Sequence, residues 1–262
     1  DLQSHDIAKA MRPEIQKIAK KYGANVKLIE VPPGPPVLST LVAEIYGPDY
    51  EEQIKVAQQV QTILQNTTDI VDIDWMVEDH QTEFRLEVDK EKAMLNGIAP
   101  QQVVGNLTYL LKEYPVSNLY DENSNDNVSI VLSLDDKDKT SLQDIQNLKI
   151  KGSQGNMIPI SDLVKVRKDT LQKTIYRKDQ KRVVYVTADM AGTLESPVYA
   201  ILGMNEKLSK MKIPKGYKIN ELYMEQPTDE SDYTVKWDGE WQITLEVFRD
   251  LGVAFMVVIV II

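Results

Sequence analysis

The chain has 262 residues, enough for two or more compact units of about 100 to 200 residues each, and its 42% hydrophobic content can supply their cores. A net charge of −10 argues against a nucleic-acid partner, because binding a phosphate backbone calls for a basic face. The absence of cysteine excludes disulfides, thiolate metal centres and cysteine nucleophiles, and with only His5 and His80 a histidine-rich metal site is not expected.

Taken in order, Ser4 to Tyr22 repeats apolar residues every three or four positions and meets a terminator at Gly23, which predicts an amphipathic helix with Pro13 as a kink inside it. Asn25 to Val31 reads as a short strand. Pro32 to Pro36 then holds four prolines in five positions, a stiff extended spacer. Leu38 to Tyr46 is the next predicted strand. Asp49 and Glu52 form a capping-box-like start for a helix whose buried stripe is Ile54, Ala57, Val60 and Leu64. Ile70 to Trp75 follows as a strand, so this strand, helix and strand form a βαβ unit with parallel strands.

Thr82 to Val88 alternates with Phe84, Leu86 and Val88 on one face, then gives way at Asp89 to two helices separated by Gly97 and Pro100. This βα unit, Thr82 to Lys112, has no return strand close behind it. Tyr114 to Asn127 is polar and turn-rich, Val128 to Leu134 alternates as a strand, Ser141 to Leu148 is helical, and short strand-like pieces run on to Arg177. Arg182 to Asp189 (RVVYVTAD) is strong strand sequence and is expected to be the missing return strand. A helix over Ser196 to Met211 and a strand over Lys218 to Leu222 complete the second module. The predicted class is α+β, with tandem ferredoxin-like βαβ modules, the second interrupted by a small mixed domain.

The apolar run Leu251 to Ile262 carries no charge. It is shorter than the roughly twenty residues that span a bilayer. Alone such a run is more often a core strand or helix; because it stops without a cap, glycine or polar residue, it is read as the start of a truncated transmembrane helix, with Trp237, Trp241 and Phe248-Arg249 suited to a membrane interface.

No catalytic constellation is visible, and an enzyme is not expected. Asp72, Asp74, Glu78, Asp79 and His80 have the donor chemistry for a cation but no spacing that selects a coordination geometry. An acidic strand end and turn explains them as well. Met76 and Met94 are scattered rather than clustered.

The succession EVPPGPPV, VAEIYGPDYEEQIKVAQQVQTILQ, IVDIDW, FRLEVDKEKAMLNGIAPQQV, MIPISDLVKV, RVVYVTADMAG and FRDLGVAFMVVIVII resembles the second large periplasmic loop of resistance-nodulation-division (RND) efflux transporters and the helix after it. The resemblance covers nearly the whole chain. It implies a proton-driven homotrimer of the inner membrane, this segment lying in the periplasm, that moves small molecules or metals with a periplasmic adaptor and an outer-membrane channel, without a cofactor. It further implies a porter subdomain at 1–80, a split porter subdomain at 81–112 and 181–225, a docking subdomain at 113–180, a connector at 226–250 and a membrane helix from 251. A substrate cleft is expected between the porter subdomains, with Glu44 and Tyr46 of the first strand and Asn125 and Asn127 of the polar loop as candidate lining residues. Each has an ordinary role as well: alternate strand residues pack the module, and asparagines solvate a turn. The proton-relay residues of the family lie in membrane helices outside this chain. The pattern departs from metal-exporting relatives where the Pro32 to Pro36 run replaces a strand entry at which they carry methionine, which counts against Cu(I) or Ag(I). The competing readings are a soluble ligand-sensing module and a tail-anchored periplasmic adaptor.

Overall fold

The computed structural model describes residues 3–30, 37–120, 122–192 and 196–262, so the proline spacer lies outside the described residues. In chain order the elements are α1 (Ser4–Tyr22), β1 (Leu41–Tyr46), α2 (Tyr50–Gln65), β2 (Ile70–Trp75), β3 (Thr82–Val88), α3 (Lys90–Leu95) and α4 (Pro100–Leu111). Then come β4 (Tyr114–Leu119), β5 (Val128–Leu132), α5 (Leu142–Asn147), β6 (Lys149–Lys151), β7 (Met157–Pro159), α6 (Ile160–Leu163) and β8 (Val164–Thr170). The last are β9 (Arg177–Lys178), β10 (Lys181–Arg182), β11 (Val184–Met190), α7 (Pro197–Ser209), β12 (Ile219–Leu222), β13 (Tyr233–Gly239) and α8 (Glu240–Ile261). They form two compact units: residues 1–79 with 173–262, and residues 80–172.

The first unit is built on a five-stranded sheet of order β12-β13-β1-β11-β2. β11 lies between β1 and β2 and runs antiparallel to both, so the strands of the first βαβ unit are parallel but not adjacent. Two βα halves, residues 41–75 and 184–239, thus interleave in one ferredoxin-like sheet. At α2 one half of the expected capping box forms, while the Glu52 carboxylate turns to Lys55 instead. The Asp49 side chain accepts from the Glu52 backbone N–H at 2.9 Å, and Ile54, Ala57, Val60 and Leu64 are buried. With Ile201, Met204 and Leu208 of α7 they cover Leu41, Ala43, Ile45, Val186, Val235 and Trp237 on one face of the sheet. Each fully buried large apolar side chain there stabilises the unit by about 1.5–3 kcal/mol.

The second unit has its own core of Ala93, Ile98, Val103, Leu107, Ile150, Ile158, Ile160 and Leu163, joined by Leu86 and Val88. Gly97 adopts a φ of 66° at the break between α3 and α4, where the sequence places the turn.

The α+β class holds, whereas strand pairing and element bounds differ from the expectations. The partner of β3 is β8, paired along all seven residues from Thr82↔Thr170 to Val88↔Val164, not the strand at 182–189. Consequently 81–112 belongs with 113–172, and 181–225 with the 41–75 half. The physical reason is charge and burial. β8 offers Lys165 and Arg167 against Asp89 and Glu87, at 3.0 and 3.7 Å. β11 is buried almost throughout, which suits the interior of the larger sheet.

The supposed connector at 226–250 contains β13, a central strand, because Tyr233, Val235 and Trp237 alternate onto the helical layer. Trp237 is fully buried and Trp241 nearly so, each donating its indole N–H within the fold, to Glu221 and to the Tyr223 carbonyl. Neither is a surface anchor for a membrane interface. Among the described residues, 25–30 have no ladder partner. They follow β2 through side chains instead, with the Leu28 N–H donating to Asp72 Oδ2 at 3.0 Å and Asn25 to the Ile73 carbonyl. Finally, the terminal helix begins at Glu240, well before the apolar run, and carries Glu246, Arg249 and Asp250 in its first half. Among the described residues no helix is long and apolar enough to cross a membrane. Residues 251–262 are exposed throughout.

Candidate functional site

Strand periodicity sends every second residue of the sheet away from the helices. On β1 these are Val42, Glu44 and Tyr46; on β13, Thr234, Lys236 and Asp238; on β11, Tyr185, Thr187 and Asp189. Register places Glu44 directly opposite both Lys236 and Tyr185. The short β9-β10 hairpin supplies Lys178 to the same face. Its two turn residues, Asp179 and Gln180, have φ of 49° and 67°, the twist of a two-residue hairpin turn at two non-glycine positions. Such backbone costs about 1 kcal/mol or more per residue.

The result is a buried four-charge cluster. Lys178 Nζ donates to Glu44 Oε1 at 2.5 Å and to Asp238 Oδ2 at 2.6 Å. Lys236 Nζ lies 3.3 Å from Asp238 Oδ2 and 3.7 Å from Glu44 Oε2, but makes no hydrogen bond. Tyr46 donates its hydroxyl to Glu44 Oε2 at 2.9 Å. Glu44 and Lys236 are fully buried, whereas Lys178 and Asp238 keep 32% and 23% of their side-chain surface.

Burial, then the neighbouring Asp238 carboxyl, push the Glu44 carboxyl above its usual range, against the pull of the two lysines. Burial alone would raise Asp238 too, but hydrogen bonding to Glu44 and Lys178 and the charge of Lys236 outweigh it, so Asp238 titrates well below the usual range. The two carboxyls therefore divide their roles: Glu44 is the one that takes a proton first, and Asp238 stays charged. Burial would lower Lys178, but its carboxylate partners hold it protonated. Burial, followed by the Glu44 charge, keeps the Tyr46 and Tyr185 hydroxyls neutral.

A cavity of about 330 Å³ opens beside this cluster, with Glu44, Lys178, Tyr185 and Asp238 as its polar lining and Leu38, Val42 and Ile243 among its apolar lining. It combines an apolar wall with a few convergent polar groups, as small-molecule sites do.

Of the sequence candidates, Glu44 and Tyr46 come together here. Asn125 and Asn127 lie in the other unit, exposed in the turn between β4 and β5. Lys178, Lys236, Asp238 and Tyr185 join Glu44 and Tyr46 without a motif that marks them. Their signal was a charge at the centre of an apolar strand, Lys236 between Val235 and Trp237, matching Glu44 between Ala43 and Ile45. Acidic residues in and after β2 are occupied by structural contacts. Arg12 pairs with Asp72 and Lys27 with Asp74, while Glu78 accepts from the Thr174 N–H at 3.0 Å and hydroxyl at 2.7 Å. No cluster of three metal-ligating side chains occurs among the described residues. Met94 is exposed and belongs to a different unit from Met76.

Two interleaved βα halves, separated in the chain by an independently packed unit, define a split ferredoxin-like α+β protein. The chain belongs to the AcrB/AcrD/AcrF family, which it matches over residues 3–235. This agrees with the resemblance to RND efflux transporters carried by the sequence motifs. The chain is 23% identical to the swarming motility protein SwrC of Bacillus subtilis (strain 168) over 177 residues, 67% of this chain and 16% of that protein. Two crystal forms of a heavy metal efflux pump share its fold. One has a TM-score of 0.60 and 19% identity, with 85% of this chain and 21% of the pump covered; the other has 0.57 and 22%, with 84% and 22% covered. The chain thus spans about a fifth or less of the length of these relatives.

Proposed function

We propose that this chain is the periplasmic part of a proton-driven RND efflux pump of the inner membrane. The family match over residues 3–235 is the observation that carries this reading. The sheet face bearing Glu44 and Tyr46 forms one wall of the path taken by a small-molecule or metal substrate, and the cavity beside Glu44 supports it. Glu44 is fully buried behind Lys178, which donates to its carboxylate, so in this reading substrate entering from the cavity displaces Lys178 to reach the carboxyl. The unit of residues 80–172, with Asn125 and Asn127 in its exposed turn, docks to the adaptor or the outer-membrane channel, and the pump works as a homotrimer. The exposed apolar half of α8 enters the bilayer.

A deletion strain carrying the full-length gene tests the reading through a panel of drugs and metals. Restored resistance to at least one compound, lost in a Glu44→Ala protein that still reaches the membrane, is the expected result. A susceptibility profile indifferent to the gene would refute it.

A further inference from the structure

The β4-β5 ribbon of the second unit is built in a way that most hairpins avoid. Its strands pair with each other and, among the described residues, with no other strand. Every residue of both is exposed, including Val116, Leu119, Ile130, Val131 and Leu132. An isolated two-stranded ribbon is marginally stable in water, and exposed apolar edges are normally blunted by charge, proline or a cover. The edge contact of Tyr114 with Tyr109 of α4, 4.6 Å between ring centroids, ties down only its base.

The two edges are not equivalent. β4 carries Pro115, which has no N–H to donate, and the register slips between Pro115 and Ser117. That strand is therefore the less regular template for a further strand. β5 reads Val-Ser-Ile-Val-Leu and has neither proline, glycine nor charge. Its surroundings are strongly acidic. Residues 122–139 contain five acids, Glu122 and Asp126 before β5 and Asp135, Asp136 and Asp138 after it, against two lysines. Those lysines are already engaged, Lys137 with Asp135 and Lys139 with Asp136, each at 3.0 Å.

We propose that the open edge of β5 accepts one further strand from a partner protein, an extended segment that is apolar in its middle and basic at both ends. Main-chain hydrogen bonds to Val128–Leu132 supply the common part of the affinity, the alternating apolar side chains of β5 read the partner's middle, and the acids on either side select its ends. The same acids disfavour antiparallel self-pairing of two β5 edges, because that arrangement sets Asp126 of one copy near Asp135 of the other. The inference deepens the docking role proposed above and rests on it for the partner being a protein.

The test uses the whole 262-residue chain and a synthetic nine-residue peptide, Lys-Lys-Val-Thr-Val-Thr-Val-Lys-Lys, at millimolar concentration. Hydrogen exchange at the amides of Val128–Leu132 should slow by about tenfold, a 1.4 kcal/mol effect. The protection should weaken as salt rises from roughly 50 to 300 mM, since the end contacts are solvent-exposed charge pairs. It should shrink in the surface variant D126N/D135N and be absent with glutamate in place of each peptide lysine. Unchanged exchange in β5, or equal protection by the glutamate peptide, would overturn the proposal. The two readings fail separately: a pump that exports normally while β5 stays unprotected sinks strand addition alone, whereas failed export with β5 protected leaves the edge standing.

Discussion

Replacing Lys236 with methionine probes the buried cluster most sharply. The side chain is fully buried, and its ammonium lies 3.3 and 3.7 Å from the two carboxylates it faces. Methionine fills most of the same volume but leaves Glu44 and Asp238 opposed by Lys178 alone. Breaking a buried ion pair from one side costs about 3–5 kcal/mol. The low end applies, because the raised pKa of Glu44 lets it take up a proton and because Asp238 and Lys178 retain some solvent. A loss of about 3 kcal/mol lowers the midpoint of a unit this size by about 6–12 °C. All three tryptophans, Trp75, Trp237 and Trp241, belong to the first unit, so their fluorescence follows its unfolding without a signal from the second. Adding Glu44→Leu to Lys236→Met removes the uncompensated carboxylate and should recover about 2 kcal/mol, a coupling that a double-mutant cycle measures directly. A cost below about 1 kcal/mol for Lys236→Met, or strict additivity of the two substitutions, would refute the account of a coupled buried pair.

The pH dependence has two limbs of opposite sign. Glu44, with its pKa raised above the usual 4.5, contributes stability that is lost as pH climbs from that value through the folded-state pKa. Asp238, with its pKa depressed below the usual 3.8, contributes stability that is lost as pH falls below that value. Urea titrations from acid to neutral pH should therefore lose the upper limb in Glu44→Gln and the lower limb in Asp238→Asn. Gly239→Ala should destabilise the first unit by about 2 kcal/mol or more in the same assay: φ is 83° there, and an added Cβ would meet the Ser39 and Thr40 carbonyl oxygens at 2.5 and 2.9 Å. Arg12→Ala should free α1, whose described charged anchor to β2 is the Arg12–Asp72 pair, and raise hydrogen exchange over residues 4–22 while leaving the tryptophan midpoint less affected. Removing residues 251–262 should abolish binding of the chain to lipid vesicles, because that stretch is exposed and wholly uncharged.

Much of the fold was legible because local chemistry and packing agree. The Asp49 cap, the Ile54 to Leu64 stripe, the Gly23 stop and the Gly97–Pro100 break each have a single physical reading, and the structure follows them. Strand partnership was not legible. β11 and β8 have similar lengths, and only the larger sheet's demand for a strand buried on both faces, together with the cross-strand charges of β8, sorts them. β13 was hidden because Lys236 and Asp238 interrupt its apolar run, and two tryptophans near an apolar tail suggest a membrane interface. The same interruption was the trace of the site. A lysine and a glutamate at the centres of two apolar strands, each flanked by residues that must be buried, imply that the charges are buried and need partners. Lys178 could not be anticipated, since its position depends on a two-residue turn at Asp179-Gln180 without the usual glycine or asparagine.

The proposed role places this chain in an efflux pump and the sheet face at Glu44 on its transport path. Export of a susceptibility-panel substrate from a deletion strain, comparing the full-length protein with its Glu44→Ala variant at equal membrane levels, tests it most directly. Restored export with the native residue and its loss in the variant are expected, for a protein whose tryptophan fluorescence still reports a folded first unit. Export that is equal in both, or absent for every compound with the native residue, would contradict it.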